Sequence, residues 1–148
     1  MARTIMRSLT STEGPALSKQ ILTSPKLSRP LGAFSQATMV AAPARMIFVS
    51  GLTSRDETGS VVGPGDIRAQ TRQILENLKA ILAEGNATLD DVVKVTVFIR
   101  DMGDFQAIHE VRGEYFTKDL PASTMVEVSR LVAPDMLIEI EATAVVGG

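Results

Sequence analysis

The sequence has no cysteine, which removes a disulfide framework, a thiol nucleophile and a cysteine-ligated zinc site together. A reducing compartment costs such a chain nothing, so the expected location is the cytoplasm. The single histidine has no second imidazole with which to share a metal, so no histidine-ligated metal is expected. Aromatic residues make up only 4% of the chain, the formal net charge is −2 and the pI is about 5.4. Neither the stacking platforms nor the basic field of a nucleic-acid binder is present, so no RNA or DNA partner is expected. No apolar run approaches the roughly 18 residues of a membrane span, and the first residues lack the hydrophobic stretch of a secretory signal, so no membrane partner is expected either.

What remains is 148 residues, 45% hydrophobic and 22% charged, enough for one domain around one core. Residues 1–20 carry Arg3 and Arg7, several hydroxyl residues and no acid before Glu13, faintly like an organellar transit peptide. Sparse apolar residues and the Gly14-Pro15 interruption make a poorly ordered tail the plainer reading. The domain is expected over residues 21–148.

Ala33 to Ala41 reads as a strand, Ala42-Pro43-Ala44-Arg45 as a turn and Met46 to Ser50 as a second strand, together a hairpin. The glycine-rich stretch 51–65 is loop with one short strand near Val61-Val62. Ile67, Ile74, Leu75, Leu78, Ile81 and Leu82 recur at helical spacing behind the N-cap candidate Asp66, with Gly85 placed as the stop. Val92 to Ile99 is a β-branched strand, and a second helix runs from about Asp104 to Thr117. Thr124 to Leu131 and Met136 to Val146 alternate as two further strands about the Ala133-Pro134-Asp135 turn. The order predicts an α+β fold with two helices on one face of a mixed sheet. The other face then needs cover, and a homo-oligomer supplies it.

The second helix carries the most chemistry. Phe105, Ile108, Val111, Tyr115 and Phe116 share an apolar arc, and Arg112 falls inside it. A guanidinium there must reach the rim, pair with a carboxylate or meet an anionic ligand. His109 lies one turn earlier, either as a hydrogen-bonding or acid–base group or as a half-buried structural side chain. As a ligand group it is expected to act protonated, so that anion affinity falls between about pH 6 and 7.5. Glu139 and Glu141 project from one face of the last strand about 7 Å apart. One can activate water while the other pairs with Arg112 or Arg130, or both face solvent.

Several stretches are familiar in order and spacing: Gly32-Ala33-Phe34-Ser35-Gln36-Ala37, Ser50-Gly51, Gly65-Asp66-Ile67 through Gln70-Thr71, Asn77-Leu78-Lys79-Ala80, Asp90-Asp91-Val92-Val93-Lys94, Thr96-Val97-Phe98, Asp101-Met102 with Asp104-Phe105, and Val126-Glu127-Val128 before Ile138-Glu139-Ile140-Glu141-Ala142. Over about residues 21–146 the chain resembles the RidA/YjgF family. The resemblance implies a chorismate-mutase-like fold, a homotrimer with clefts between subunits and, in active members, cofactor-free hydrolysis of enamines and imines formed from amino acids.

The family's deaminases clamp the substrate carboxylate with an arginine after a Pro-Ala pair, where this chain has Pro121-Ala122-Ser123. Phe34 stands for the family's tyrosine, Met125 for a cysteine, and His109 and Arg112 for an asparagine and a tyrosine. Glu139 matches the water-orienting carboxylate, and Ser50 and Gly51 are kept. The resemblance implies a catalytic Glu139 with Ser50 and Gly51 beside the substrate; where the chain departs from the family, Ser123 and Phe34 are expected around the substrate and His109 with Arg112 as a relocated carboxylate site. The substrate expected is a small anionic enamine or imine, amino-acid-derived or aminomuconate-like. The alternative is a non-catalytic trimer that binds a metabolite or partner, and the acidic pI argues against a ribonuclease.

Overall fold

The computed structural model describes residues 19–26, 29–40 and 44–147. The transit-peptide or tail segment lies outside them up to residue 18, while Lys19 and Gln20, which the sequence reading places in the tail, begin strand β1 (Lys19–Leu22).

Asp66 starts helix α1 (Ile67–Glu84) because its Oδ1 accepts the Ala69 N–H at 3.0 Å, satisfying a donor that the first turn leaves free. Ile74, Leu75, Leu78 and Leu82 form its buried stripe, each contributing about 1.5–3 kcal/mol by leaving water. The stop differs from expectation by one residue. Gly85 has φ −93°, and it is Asn86 that turns left-handed at φ 53°. The Asn86 N–H bonds Ala83 O at 3.0 Å and the Ala87 N–H bonds Leu82 O at 2.9 Å, a Schellman closure. Gly85 is small for a different reason: a Cβ there would stand 2.5 Å from Ile47 Cδ1.

The main sheet runs β3-β6-β4-β5, with β3 Ala44–Leu52, β4 Val92–Ile99, β5 Ala122–Glu127 and β6 Ile138–Gly147. β4 and β5 are parallel, joined through helix α2 (Phe105–Tyr115), since parallel neighbours need a crossover. β6 slots antiparallel between β3 and β4. The expected hairpin of Ala33–Ala41 with Met46–Ser50 is not formed: β2 (Ala37–Val40) pairs with β1, and β3 pairs with β6. Most of the expected turn, residues 41–43, lies outside the described residues. The short strand expected near Val61 is a single bridge to Arg55.

Alternation in β4 and β6 divides the two faces. Val95, Val97, Ile99, Ile138, Ile140, Ala142 and Ala144 join α1 and α2 in one core, which gives the α+β layer architecture expected. On the other face Met46 is 56% and Phe48 74% exposed. Among the described residues no helix is long and apolar enough to cross a membrane.

Candidate functional site

α2 is held by Ile108 and Val111 in the core, and that rotation turns His109 and Arg112 inward as well. Both are buried, Arg112 completely. Its Nη2 donates to Ser123 Oγ on β5 at 3.0 Å and to the Ala33 carbonyl at 3.3 Å, while Nε and Nη1 have no partner. No carboxylate of the described residues pairs with it, so the ion pair with a glutamate is not formed. Burial pulls its pKa down to about 10, which leaves it charged at neutral pH.

His109 corrects the sequence expectation. Its Nδ1 accepts the Ala33 N–H at 3.0 Å, so the neutral ring carries its hydrogen on Nε2. Burial first, and then the Arg112 charge, push its pKa down to about 4. The imidazole is therefore neutral between pH 6 and 7.5 and offers a hydrogen bond in place of a charge. Phe105 packs on it at 4.3 Å between ring centres and Phe34 at 6.0 Å.

The segment 29–36 closes over these residues. The Ser35 N–H bonds Pro121 O at 2.9 Å and Gln36 Oε1 accepts the Ser24 N–H at 2.7 Å. Gly32 fits because a Cβ there would stand 2.3 Å from His109 Nδ1. Between this segment, α2 and β5 lies a cavity of about 330 Å³, lined by Phe34, His109 and Ser123 together with Arg29, Gln36, Phe105 and Met125 among others. Arg112 stands behind Ser123, outside the lining.

Glu139, Ser50 and Gly51 lie elsewhere. Ser123 is level with Val95 and Met125 with Val97, so both point to the helix side of the sheet. Glu139 is level with Phe98, on the open side. β3 carries an extra residue between Val49 and Leu52, a bulge at Ser50-Gly51 of the kind that re-aims a strand end. It brings Gly51 so close to Glu139 that a Cβ would stand 1.9 Å from Oε1. The Glu139 carboxylate has no hydrogen-bond or ion-pair partner among the described residues. Glu141 is exposed beside Lys94 and Thr96 in a second hollow of about 190 Å³, and neither glutamate meets Arg112 or Arg130. One chain thus holds two groups of expected site residues on opposite faces: Phe34, His109, Arg112 and Ser123 at the cavity, and Ser50, Gly51 and Glu139 at the bulge.

Six lining residues were not expected at the site, Pro30 and Leu31 among them. Met125 is two positions beyond Ser123 on the same strand face and Phe105 one turn before His109, so spacing alone points to both. Arg29 and Gln36 carry no signal beyond their nearness to Phe34.

A family model described as Endoribonuclease L-PSP matches residues 26–146, and the chain belongs to that family, the RidA/YjgF group of the resemblance. Among curated relatives, a RutC family protein of Pyrococcus abyssi is 47% identical over 86% of this chain and 98% of its own. The 3-aminoacrylate deaminase RutC of Acinetobacter baylyi is 40% identical over 85% and 97%. Among solved structures, the Rid family protein YyfB of Yersinia pestis, of unknown function, gives a TM-score of 0.79 at 30% identity over 85% of this chain and 97% of that one.

Proposed function

We propose that this chain is a cofactor-free hydrolase of small carboxylate-bearing enamines or imines, working in clefts between the subunits of a homotrimer. The observation that carries the reading is Arg112: a buried cation with two unpartnered nitrogens, placed directly behind Ser123. A buried charge left half satisfied is costly, and an anion at the cavity wall relieves the cost. Ser123 Oγ accepts from Arg112, so its own hydrogen is free for the substrate carboxylate. The His109 Nε2–H gives a second, neutral donor. Together they replace the bidentate arginine of the family's deaminases.

Glu139 is the water-activating carboxylate. An enamine first takes a proton on carbon to become the imine. Glu139 then takes a proton from water as the oxygen adds to the imine carbon and passes it to the nitrogen. The new hydroxyl gives up its own proton to the nitrogen as the carbon–nitrogen bond breaks, leaving a carbonyl, ammonia and the free carboxylate. The Gly51 N–H and Ser50 hydroxyl steady the developing oxygen. Glu139 faces away from its own chain's cavity, so the reading requires a neighbouring subunit to present it, with the exposed Met46 and Phe48 covered in the same contact. The 40% identity to a protein named 3-aminoacrylate deaminase supports the reaction class.

The separation of Glu139 from the cavity also favours a second reading, a trimer that binds a carboxylate metabolite without turning it over. Ammonia release from an enamine generated in situ by an amino-acid dehydratase separates the two. Hydrolysis predicts acceleration by the wild type and at least a hundredfold loss in Glu139→Gln. No acceleration leaves binding alone. Light scattering at micromolar concentration should give about three times the 15.8 kDa chain mass, and a clean monomer would defeat both readings.

A further inference from the structure

We infer that the cavity selects carboxylates with an apolar, aromatic-sized body over the three-carbon acids that a 3-aminoacrylate-like substrate represents. The inference rests on reading Ser123 and Arg112 as the carboxylate end of the site, and it adds what lies beyond that end.

Volume comes first. At about 30 Å³ for a water-sized group, about 330 Å³ holds about eleven such groups, whereas a three-carbon enamine acid has about six heavy atoms. Such a small ligand leaves roughly half the space to water against apolar walls. A phenyl-bearing 2-imino acid or its enamine fills it.

The walls are also divided. Ser123 and His109 both line the cavity, and the hydroxyl that Arg112 holds and the Nε2–H that the Ala33 bond leaves free are the two donors offered to a carboxylate. The remainder is largely carbon, with Phe34 and Phe105 inclined at 45° and 52° to the His109 ring and Met125 rising from β5. Two tilted rings and a thioether accept an aromatic body edge-to-face, a preferred arrangement. The frame is fixed before any ligand arrives, because Ala33 is bonded through its N–H to His109 and through its carbonyl to Arg112. Arg29 also lines the cavity but is exposed, so a second ligand carboxylate would meet a solvated cation, which contributes little.

Calorimetry on the full chain with propanoate, 3-phenylpropanoate and glutarate tests this without chemistry. The expected result is 3-phenylpropanoate bound at least about tenfold tighter than propanoate and tighter than glutarate. Met125→Phe, which fills the apolar end, and Phe34→Leu, which removes a ring, should each bring that ratio down at least about threefold. Circular dichroism checks that each variant folds, and either one alone suffices. Equal affinities, glutarate as the tightest ligand, no binding of any acid, or a ratio unmoved in the folded variants would overturn the inference. If the preference holds while no enamine is hydrolysed, the catalytic reading falls and this one stands. Ammonia release with no preference between the acids does the opposite.

Discussion

Gln70 and Arg112 are both fully buried polar side chains, one on each helix, and they end in opposite ways. Gln70 pairs both its nitrogen and its oxygen within its own chain: Nε2 donates to Gly63 O at 3.1 Å and Asp135 O at 2.7 Å, and Oε1 accepts the Leu137 N–H at 2.9 Å. It ties the segment before α1 to the segment before β6. Arg112 makes two bonds and leaves two nitrogens empty. Burial alone therefore does not separate a structural polar group from a functional one; completeness of hydrogen bonding does.

The largest effect that sharpens this contrast is expected at Gln70. Gln70→Ala leaves a hole where a fully buried side chain stood and takes the partner from the part-buried Asp135 carbonyl and Leu137 N–H, and it should lower the unfolding free energy by about 3 kcal/mol, read by urea denaturation, with carboxylate affinity little changed. Arg112→Met should do the reverse. Replacing a buried lone charge by an apolar chain of similar length shifts stability by no more than about 1 kcal/mol, while affinity for 3-phenylpropanoate falls about fiftyfold in calorimetry, about 2.3 kcal/mol. A collapse of the fold with affinity intact would make Arg112 another Gln70.

Third in size is an acid effect. The folded His109 has its pKa lowered to about 4 from an ordinary 6.5, so between those values the unfolded chain binds a proton that the folded one refuses. Stability is then complete above about pH 6.5 and is lost as pH falls towards 4, by about 2 kcal/mol after allowing for water at the cavity wall. Urea midpoints across that range should show the slope in the wild type and lose it in His109→Asn. The smallest effect lies between the helices, where Arg72 bonds both carboxylate oxygens of Glu114 at 2.8 and 3.1 Å in the open. Arg72→Ala should cost about 0.5 kcal/mol in the same denaturation experiment, and less in high salt.

The parts of this contrast that the sequence carries are local. Helical spacing locates α1 and α2, and it places Arg112 inside an apolar arc, because side-chain direction along a helix follows from residue number. Two-residue alternation likewise separates Ile138 and Ile140 from Glu139 and Glu141. Pairing across distance is another matter. Nothing in Met46 to Ser50 says that its partner is the last strand, since β6 is chosen by the space left between β3 and β4. The state of His109 was hidden for the same reason, as its pKa depends on burial under the folded chain and on the charge of Arg112, and its tautomer on an N–H from Ala33. Gln70 reads in sequence as an ordinary helix residue, and only the two segments folding onto it reveal its task.

The close approach of Gly51 to Glu139 bears on how the two positions can change over generations. A methyl at position 51 meets the far end of a flexible side chain, so Gly51→Ala would displace the carboxylate while leaving the fold standing. With Glu139 shortened to alanine, the same methyl has room. The effect of either substitution thus depends on which came first: a lineage that lost Glu139 is free to fill position 51, and once it has done so, regaining the glutamate alone would not restore the carboxylate to its place.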